Sequence, residues 1–250
     1  MSFLDEIIDG EKAHLHDLQG SEAWDLIRVG RFTSSEMYRL MGHGWRDMTP
    51  TELAARPKKG KGSATKRLPD FTVLSKEADT YIDEKVAEVL TGQPKKQSYA
   101  YPLVYGKEQE PEAVELFQEK TGLECEVVGF QTFTDHAGGS PDRLVGASDG
   151  LEIKSPWQST NQLDYLRLVH VNDIRDNYPQ FYWQCVSLLL FTGRDRWHFC
   201  TFDPRFKNPK HRLTHLIFEK EKLEEDFNRI VTVIESAVSR KLQRINAFEK

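Results

Sequence analysis

Two carboxylates and an ammonium group lie within a few residues of each other in SPDRLVGASDGLEIKSP, residues 140–156. Asp142 follows a Ser-Pro turn, and Glu152 and Lys154 are separated by one residue. Side chains alternate along a strand, so Glu152 and Lys154 share one face while Leu151 and Ile153 point to the other, into a core. Paired carboxylates offer hard oxygen ligands that suit Mg²⁺ or Mn²⁺ and leave coordination positions for water and a substrate phosphate. A metal held there lowers the pKa of its water and neutralises charge on a phosphorane, and an adjacent lysine can orient or deprotonate the attacking water. The same spacing also fits an ordinary exposed hairpin with a surface ion pair.

The elements around this stretch must bring the three groups together. Apolar residues flank a turn expected over Ser148-Asp149-Gly150, where glycine can adopt a positive φ, and Pro156 ends the ladder. In an even register Asp142 joins Glu152 and Lys154 on one face. Glu124 to Phe133 alternates and is expected as a strand leading into the hairpin. Residues 157–170 suggest a polar, aromatic-containing helix over the cleft. Tyr178 to Thr192 is the most apolar helix and is expected across the sheet, with Gln184 reaching either the active face or a structural hydrogen-bond partner. Two more strands, Arg196 to Asp203 and Leu213 to Glu219, are joined by a basic turn, and Lys220 to Phe248 reads as a long amphipathic helix. His211 and His215 lie at a strand entry with no acid nearby in sequence and read as non-ligands.

Before the hairpin the chain is mainly helical. Residues 2–18 have roughly helical apolar spacing. Ser21 is placed to cap a helix through Arg28, and Thr33 or Ser34 to cap another through Met41. Arg28, Ser34 and Ser35 would then stand beside a helix N-terminus, where an anion such as phosphate is favoured; on these residues alone a plain helix cap with a surface arginine is the preferred account. Residues 43–75 are polar and rich in Pro, Gly and Lys, and read as a long loop. Helices follow from Ser75 to Gly92 and from Tyr105-Gly106 to Gly122. Of the glutamates on the second, Glu110 is singled out as an acid able to enter a cleft.

Composition narrows the class. With 38% hydrophobic, 29% charged and 11% aromatic residues among 250, the chain is of ordinary globular type and long enough for one sizeable domain. It is expected as a single domain over 1–250, helical to about 122 and sheet-containing beyond. No apolar run approaches a membrane span, and the N-terminus lacks a signal peptide's pattern, so a cytoplasmic protein without membrane partners is expected. Cys125, Cys185 and Cys200 are odd in number and far apart, which argues for reduced thiols and against a zinc ribbon or iron-sulfur cluster. A net charge of −5 disfavours a uniformly basic nucleic-acid binder but leaves room for a local groove, for which Lys58-Lys59-Gly60-Lys61, Lys66-Arg67 and Lys95-Lys96 are candidates.

Pro141-Asp142 with Glu152-x-Lys154 resembles the PD-(D/E)xK nucleases. With AWDLIRVGRFTSSE at 23–36, AEVLTG at 87–92, YGKEQEPEAVELFQEKTG at 105–122, YWQ at 182–184 and FDPR at 202–205, the chain resembles the phage lambda-type exonucleases, the YqaJ-like viral recombinase family, over nearly its whole length. The resemblance implies an α/β fold with a restriction-endonuclease-like core, a central mixed sheet flanked by helices. It implies a Mg²⁺-dependent enzyme that degrades one strand of duplex DNA from its 5′ end, leaving a 3′ single strand for a partner annealing protein, and that works as a ring-shaped homotrimer in a bacterial host. By position, Asp142, Glu152 and the Ile153 carbonyl would hold Mg²⁺ or Mn²⁺, with Glu110 contributing to a second ion. Lys154 and Gln184 would activate or orient water, and Arg28, Ser35 and Ser140 would hold the 5′ phosphate. A PD-(D/E)xK endonuclease and a catalytically silent DNA-end binding module are the alternatives.

Overall fold

The computed structural model describes residues 19–55, 66–95 and 101–249. The helix expected over 2–18 and the lysines at 58, 59, 61 and 96 lie outside them. In chain order the elements are α1 (Glu22–Ile27), β1 (Phe32–Thr33), β2 (Gly44–Asp47), α2 (Pro50–Ala54), β3 (Arg67–Asp70), α3 (Lys76–Thr91) and α4 (Tyr101–Thr121). Four short strands follow, β4 (Cys125–Glu126), β5 (Gln131–Thr134), β6 (Ala137–Gly139) and β7 (Arg143–Val145), and then β8 (Asp149–Lys154). The chain continues through α5 (Ser159–Tyr165), α6 (Val171–Asn177), α7 (Pro179–Thr192), β9 (Arg196–Phe202), β10 (Leu213–Glu219) and α8 (Glu224–Phe248). No helix among the described residues is long and apolar enough to cross a membrane.

The central sheet has the order β10-β9-β8-β7-β4. Only β8 and β9 are parallel, and helices α5 to α7 form the crossover between them, as a parallel pair requires. Alternation along these strands sends side chains into two separate cores. Leu151, Ile153, Cys200 and Phe202 pack with Ala113, Val114 and Phe117 of α4. Trp197 and Phe199 join α7, α3 and α8 in the larger cluster on the other side. The sheet is therefore mixed, with helices on both faces, which is the architecture expected from the resemblance.

Several local expectations need correction. The hairpin turn is at Gly146-Ala147-Ser148, with φ +49 at Gly146, and Asp149 and Gly150 already belong to β8. Tertiary contacts take these two turn-forming residues into the strand: Asp149 is bound by His198 and Arg196, and Gly150 lies under Trp197, where a Cβ would come within 2.1 Å of the indole. Glu124 to Phe133 is not one strand. Cys125–Glu126 pairs with β7, whereas Gln131–Thr134 pairs with β6 in a separate three-stranded sheet of order β1-β6-β5, and buried Phe130 anchors the crossing between them. The segment after Thr33 is a 3-10 helix, Ser34–Arg39, without a side-chain cap, because the Thr33 hydroxyl is instead near Ser35 and Tyr81. Within the polar stretch 43–75, β2 and β3 form a hairpin beside a cluster of His43, Trp45 and Phe71 rings. Helix α4 begins four residues earlier than expected and carries both Gly106 and Pro111 inside it, ending at Gly122 as expected, with φ +70 there.

Candidate active site

The β7–β8 ladder pairs Arg143 with Leu151, so Asp142, one residue before β7, stands opposite Glu152 and on its face of the sheet. Glu152 is 1% exposed, Asp142 half-buried. The Asp142 carboxylate is fixed through Oδ2, which accepts the Ile153 backbone N–H at 2.7 Å. Glu152 Oε1 accepts both Lys154 Nζ at 2.5 Å and Gln184 Nε2 at 2.7 Å. Gln184 reaches it because α7 packs a mainly apolar buried face against the sheet, with Ser187 turned back onto the helix's own carbonyls. Phe181, one turn earlier on α7, lies 5.3 Å from the Lys154 ammonium, measured to the ring centroid.

Electrostatics follow from this crowding. Burial, then the charge of Glu152, push the Asp142 carboxyl well above the usual carboxylate range. Burial also raises Glu152, against the opposing pull of Lys154. For Lys154 burial works downward, but Glu152 and Asp142 outweigh it and push the ammonium up to about 12. Lys154 is therefore a cation at neutral pH, a group suited to orienting water more than to taking its proton.

The donor set fits a hard divalent cation. Glu152 Oε2 is buried and has no hydrogen-bond partner, so a carboxylate oxygen is left in a position that rewards a cation. Among the described residues no cluster of three or more His, Cys, Asp or Glu could encage an ion. A carboxylate pair supplemented by a backbone carbonyl suits Mg²⁺, which keeps several of its own waters, better than Zn²⁺ with its closed nitrogen and sulfur shells. Glu110 lines the same cavity, but Arg143 holds its Oε1 at 2.5 Å. His211 and His215 are no part of the site.

That cavity, of about 1080 Å³, is lined by Asp142, Ile153 and Lys154 together with Arg28, Ser35 and Glu36. Arg28 lies over the Trp24 ring at 3.8 Å, and the Trp24 indole N–H donates to Ser140 Oγ at 2.6 Å, so one aromatic residue ties Arg28 to Ser140. Burial pulls the Arg28 guanidinium below its ordinary value, against the opposing charges of Asp25, Glu36 and Glu88. Lys95, a groove candidate, pairs with Glu36 and Glu84, and Arg67 pairs with Asp47.

Sequence reasoning did not anticipate three groups. Arg143, adjacent to Asp142, bridges to Glu110. His198 joins buried Asp149 at 3.0 Å to His215 at 2.7 Å on the α4 side of the sheet. Trp157 lines the cavity. Only Arg143 had a local signal, its position directly after the proline-aspartate pair; the other two depend on contacts distant in sequence.

Fold and site define an α/β protein of the restriction-endonuclease-like class with a carboxylate-lysine centre. The match to the YqaJ-like viral recombinase domain extends over residues 23–195, and the chain belongs to that family. It is similar in structure to an alkaline exonuclease from Laribacter hongkongensis, with a TM-score of 0.66, 21% identity and coverage of 92% of this chain and 96% of that one. The same exonuclease in complex with dAMP gives a TM-score of 0.67 at 20% identity, with the same coverage of 92% and 96%. A phage-related exonuclease from Haemophilus somnus 129PT gives 0.62 at 14% identity, covering 87% and 96%. No curated protein matches the chain.

Proposed function

We propose that this chain is a Mg²⁺-dependent deoxyribonuclease that digests duplex DNA from 5′ ends and leaves 3′ single strands for a strand-annealing partner in phage-type recombination. The observation that carries this reading is the presence of Asp142 and Lys154 in one cavity with Arg28 and Ser35. The same cavity is lined by groups for phosphodiester hydrolysis and by a cation for a terminal phosphate. Solved relatives in fold are exonucleases, and one of them holds dAMP, which supports a nucleotide substrate.

Asp142, Glu152 and the Ile153 carbonyl would hold Mg²⁺, or Mn²⁺ in its place, with Glu110 available to a second ion on release from Arg143. The bound ion would supply an activated water and charge neutralisation at the phosphorane. Lys154 holds Glu152 and presents an ammonium to the attacking water or a phosphate oxygen. Gln184 fixes the Glu152 carboxylate. Arg28, with Ser35 and Ser140, favours a terminal over an internal phosphate, because the former carries more charge and accepts more charge-assisted hydrogen bonds. Assembly as a ring trimer in a bacterial cytoplasm belongs to the same reading.

The test uses end-labelled linear duplex beside a covalently closed circle, with Mg²⁺ and with chelator. Digestion of the linear form from 5′ ends, dependent on metal and sparing the circle, is expected. Cutting of the intact circle would establish an endonuclease instead. Lys154→Ala is expected to abolish turnover while duplex binding persists; unchanged degradation would remove Lys154 from the chemistry.

A further inference from the structure

The FDPR stretch at 202–205 has no part in the hydrolytic centre, yet its Asp203 and Arg205 are joined to each other and to a neighbouring loop by several hydrogen bonds. Asp203 is fully buried, and its two carboxylate oxygens take Arg205 Nε at 2.7 Å and one Arg205 terminal nitrogen at 2.9 Å. The same terminal nitrogen and the other one also reach the loop that follows Lys154, donating to the carbonyls of Pro156 and Trp157 respectively, at 2.9 Å each. The end of β9 thus pins the backbone of Trp157. The indole itself is fixed by two rings nearly perpendicular to it, Tyr101 at 4.5 Å and 82° and Tyr105 at 5.2 Å and 71°. Even so, Trp157 remains 40% exposed and lines the cavity that contains Asp142 and Lys154. A large aromatic residue held this firmly and left this open is preorganised for a flat partner.

We propose that Trp157 is a stacking platform for an unpaired nucleobase of the strand whose backbone lies in the cavity, and that Asp203 and Arg205 are the clamp that presents it. This rests on the nuclease reading. A strand end that enters a cavity lined by Asp142 and Lys154 leaves its complement, and its bases lose their stacking partners. Trp157 replaces one of them, three residues along the chain from the ammonium of Lys154. Stacking tolerates any base, which suits an enzyme that must pass through every sequence. Trp157 acts in positioning, through the base, and takes no part in the bond-breaking step.

The experiment measures binding of a fluorescently labelled duplex with a short frayed 5′ end, in chelator so that no cleavage occurs, for the full-length chain and its Trp157→Ala and Trp157→Phe variants. A second set of DNAs carries one abasic sugar moved stepwise from the 5′ end. Trp157→Ala is expected to weaken binding about tenfold and Trp157→Phe about twofold or less, as for loss and retention of one stacked base. One abasic position is expected to weaken the wild type by a similar factor and to leave Trp157→Ala unaffected. With Mg²⁺ present, the loss in Trp157→Ala is expected in KM more than in kcat. Equal binding by all three proteins, or equal sensitivity of wild type and Trp157→Ala at every abasic position, overturns the proposal. So does an altered oligomeric state of Trp157→Ala with unaltered DNA affinity, which would make this patch a subunit contact. If Trp157→Ala does not fold, Trp157→Phe and the abasic series on the wild type decide the matter. Failure of the wild type to bind DNA at all would refute the nuclease reading itself; normal digestion with inert Trp157 and abasic series refutes only the platform.

Discussion

Gly150→Ala tests the seating of the strand that carries Glu152. A Cβ at position 150 would lie 2.1 Å from the Trp197 Cζ3 atom and 2.4 Å from both Cε3 and Cη2. Ordinary van der Waals contact begins near 3.4 Å, so roughly 1.3 Å of movement is required of one partner. Trp197 is fully buried and cannot retreat into solvent, so β8 shares the displacement. Overpacking of this kind costs about 1–3 kcal/mol, and a contact this short belongs at the upper end. At about 2–4 °C per kcal/mol for a chain of this size, a fall in Tm of roughly 6–12 °C is expected by thermal unfolding. Because Glu152 is two residues further along the strand, nuclease activity is expected to fall about 10²-fold, as for a small misplacement of a positioned group. The double variant Gly150→Ala with Trp197→Leu removes the obstructing ring, and its destabilisation is expected to be smaller than the sum of the two single changes by at least about 1 kcal/mol. A Gly150→Ala protein with wild-type Tm and activity, or strict additivity in the pair, would refute the packing described for β8 against Trp197.

Asp142→Asn keeps an acceptor for the Ile153 amide but removes one of two neighbouring negative charges, so a higher Tm with turnover at background is expected; a lower Tm would show that the charge pair does not destabilise the fold. Arg28→Ala is expected to reduce the preference for 5′-phosphorylated over 5′-hydroxyl ends in competition digests, and an unaltered preference would return Arg28 to a structural role on Trp24. Burial lowers His198 from its ordinary value, with Asp149 opposing, and burial with the charge of His198 lowers His215 to about 4. The unfolded chain therefore binds more protons than the folded one between about pH 6.5 and 4, so the stability these histidines contribute is complete above that window and is lost as pH falls through it. Tm measured against pH is expected to slope less steeply there in His198→Gln, and an unchanged slope would remove the histidine pair as the cause.

What the sequence made legible was local. Asp142, Glu152 and Lys154 belong to one hairpin, so alternation and an even register were enough to place them together, and the apolar run 178–192 left Gln184 as the conspicuous polar side chain to meet them. Helix ends with their own markers were equally readable, as with Ser75 capping α3 and Gly92 in the left-handed region closing it. Where a distant contact overrides a local preference, the reading fails. Asp149 and Gly150 have turn chemistry, but His198 and Trp197, some 50 residues later in sequence, hold them in β8. The two short strands within 124–134 could not be separated by alternation, because they pair with partners in different sheets. Parallel pairing of β1 with β6 joins residues more than 100 apart and leaves no periodic trace at either.

The cleft's two walls differ in stiffness. On one, Arg205 binds the segment after Lys154 to the end of β9, so a push on Trp157 is transmitted into the central sheet. On the other stand the first turns of α4, where Gly106 weakens the helix and Pro111 removes a backbone donor just beyond Glu110. Leu103 and Val104 are exposed there, while Tyr101 and Tyr105 of the same turns pack against Trp157. The two walls therefore meet at Trp157, and a bulky guest that displaces the helical side strains both its tyrosine contacts and the Arg143–Glu110 bridge.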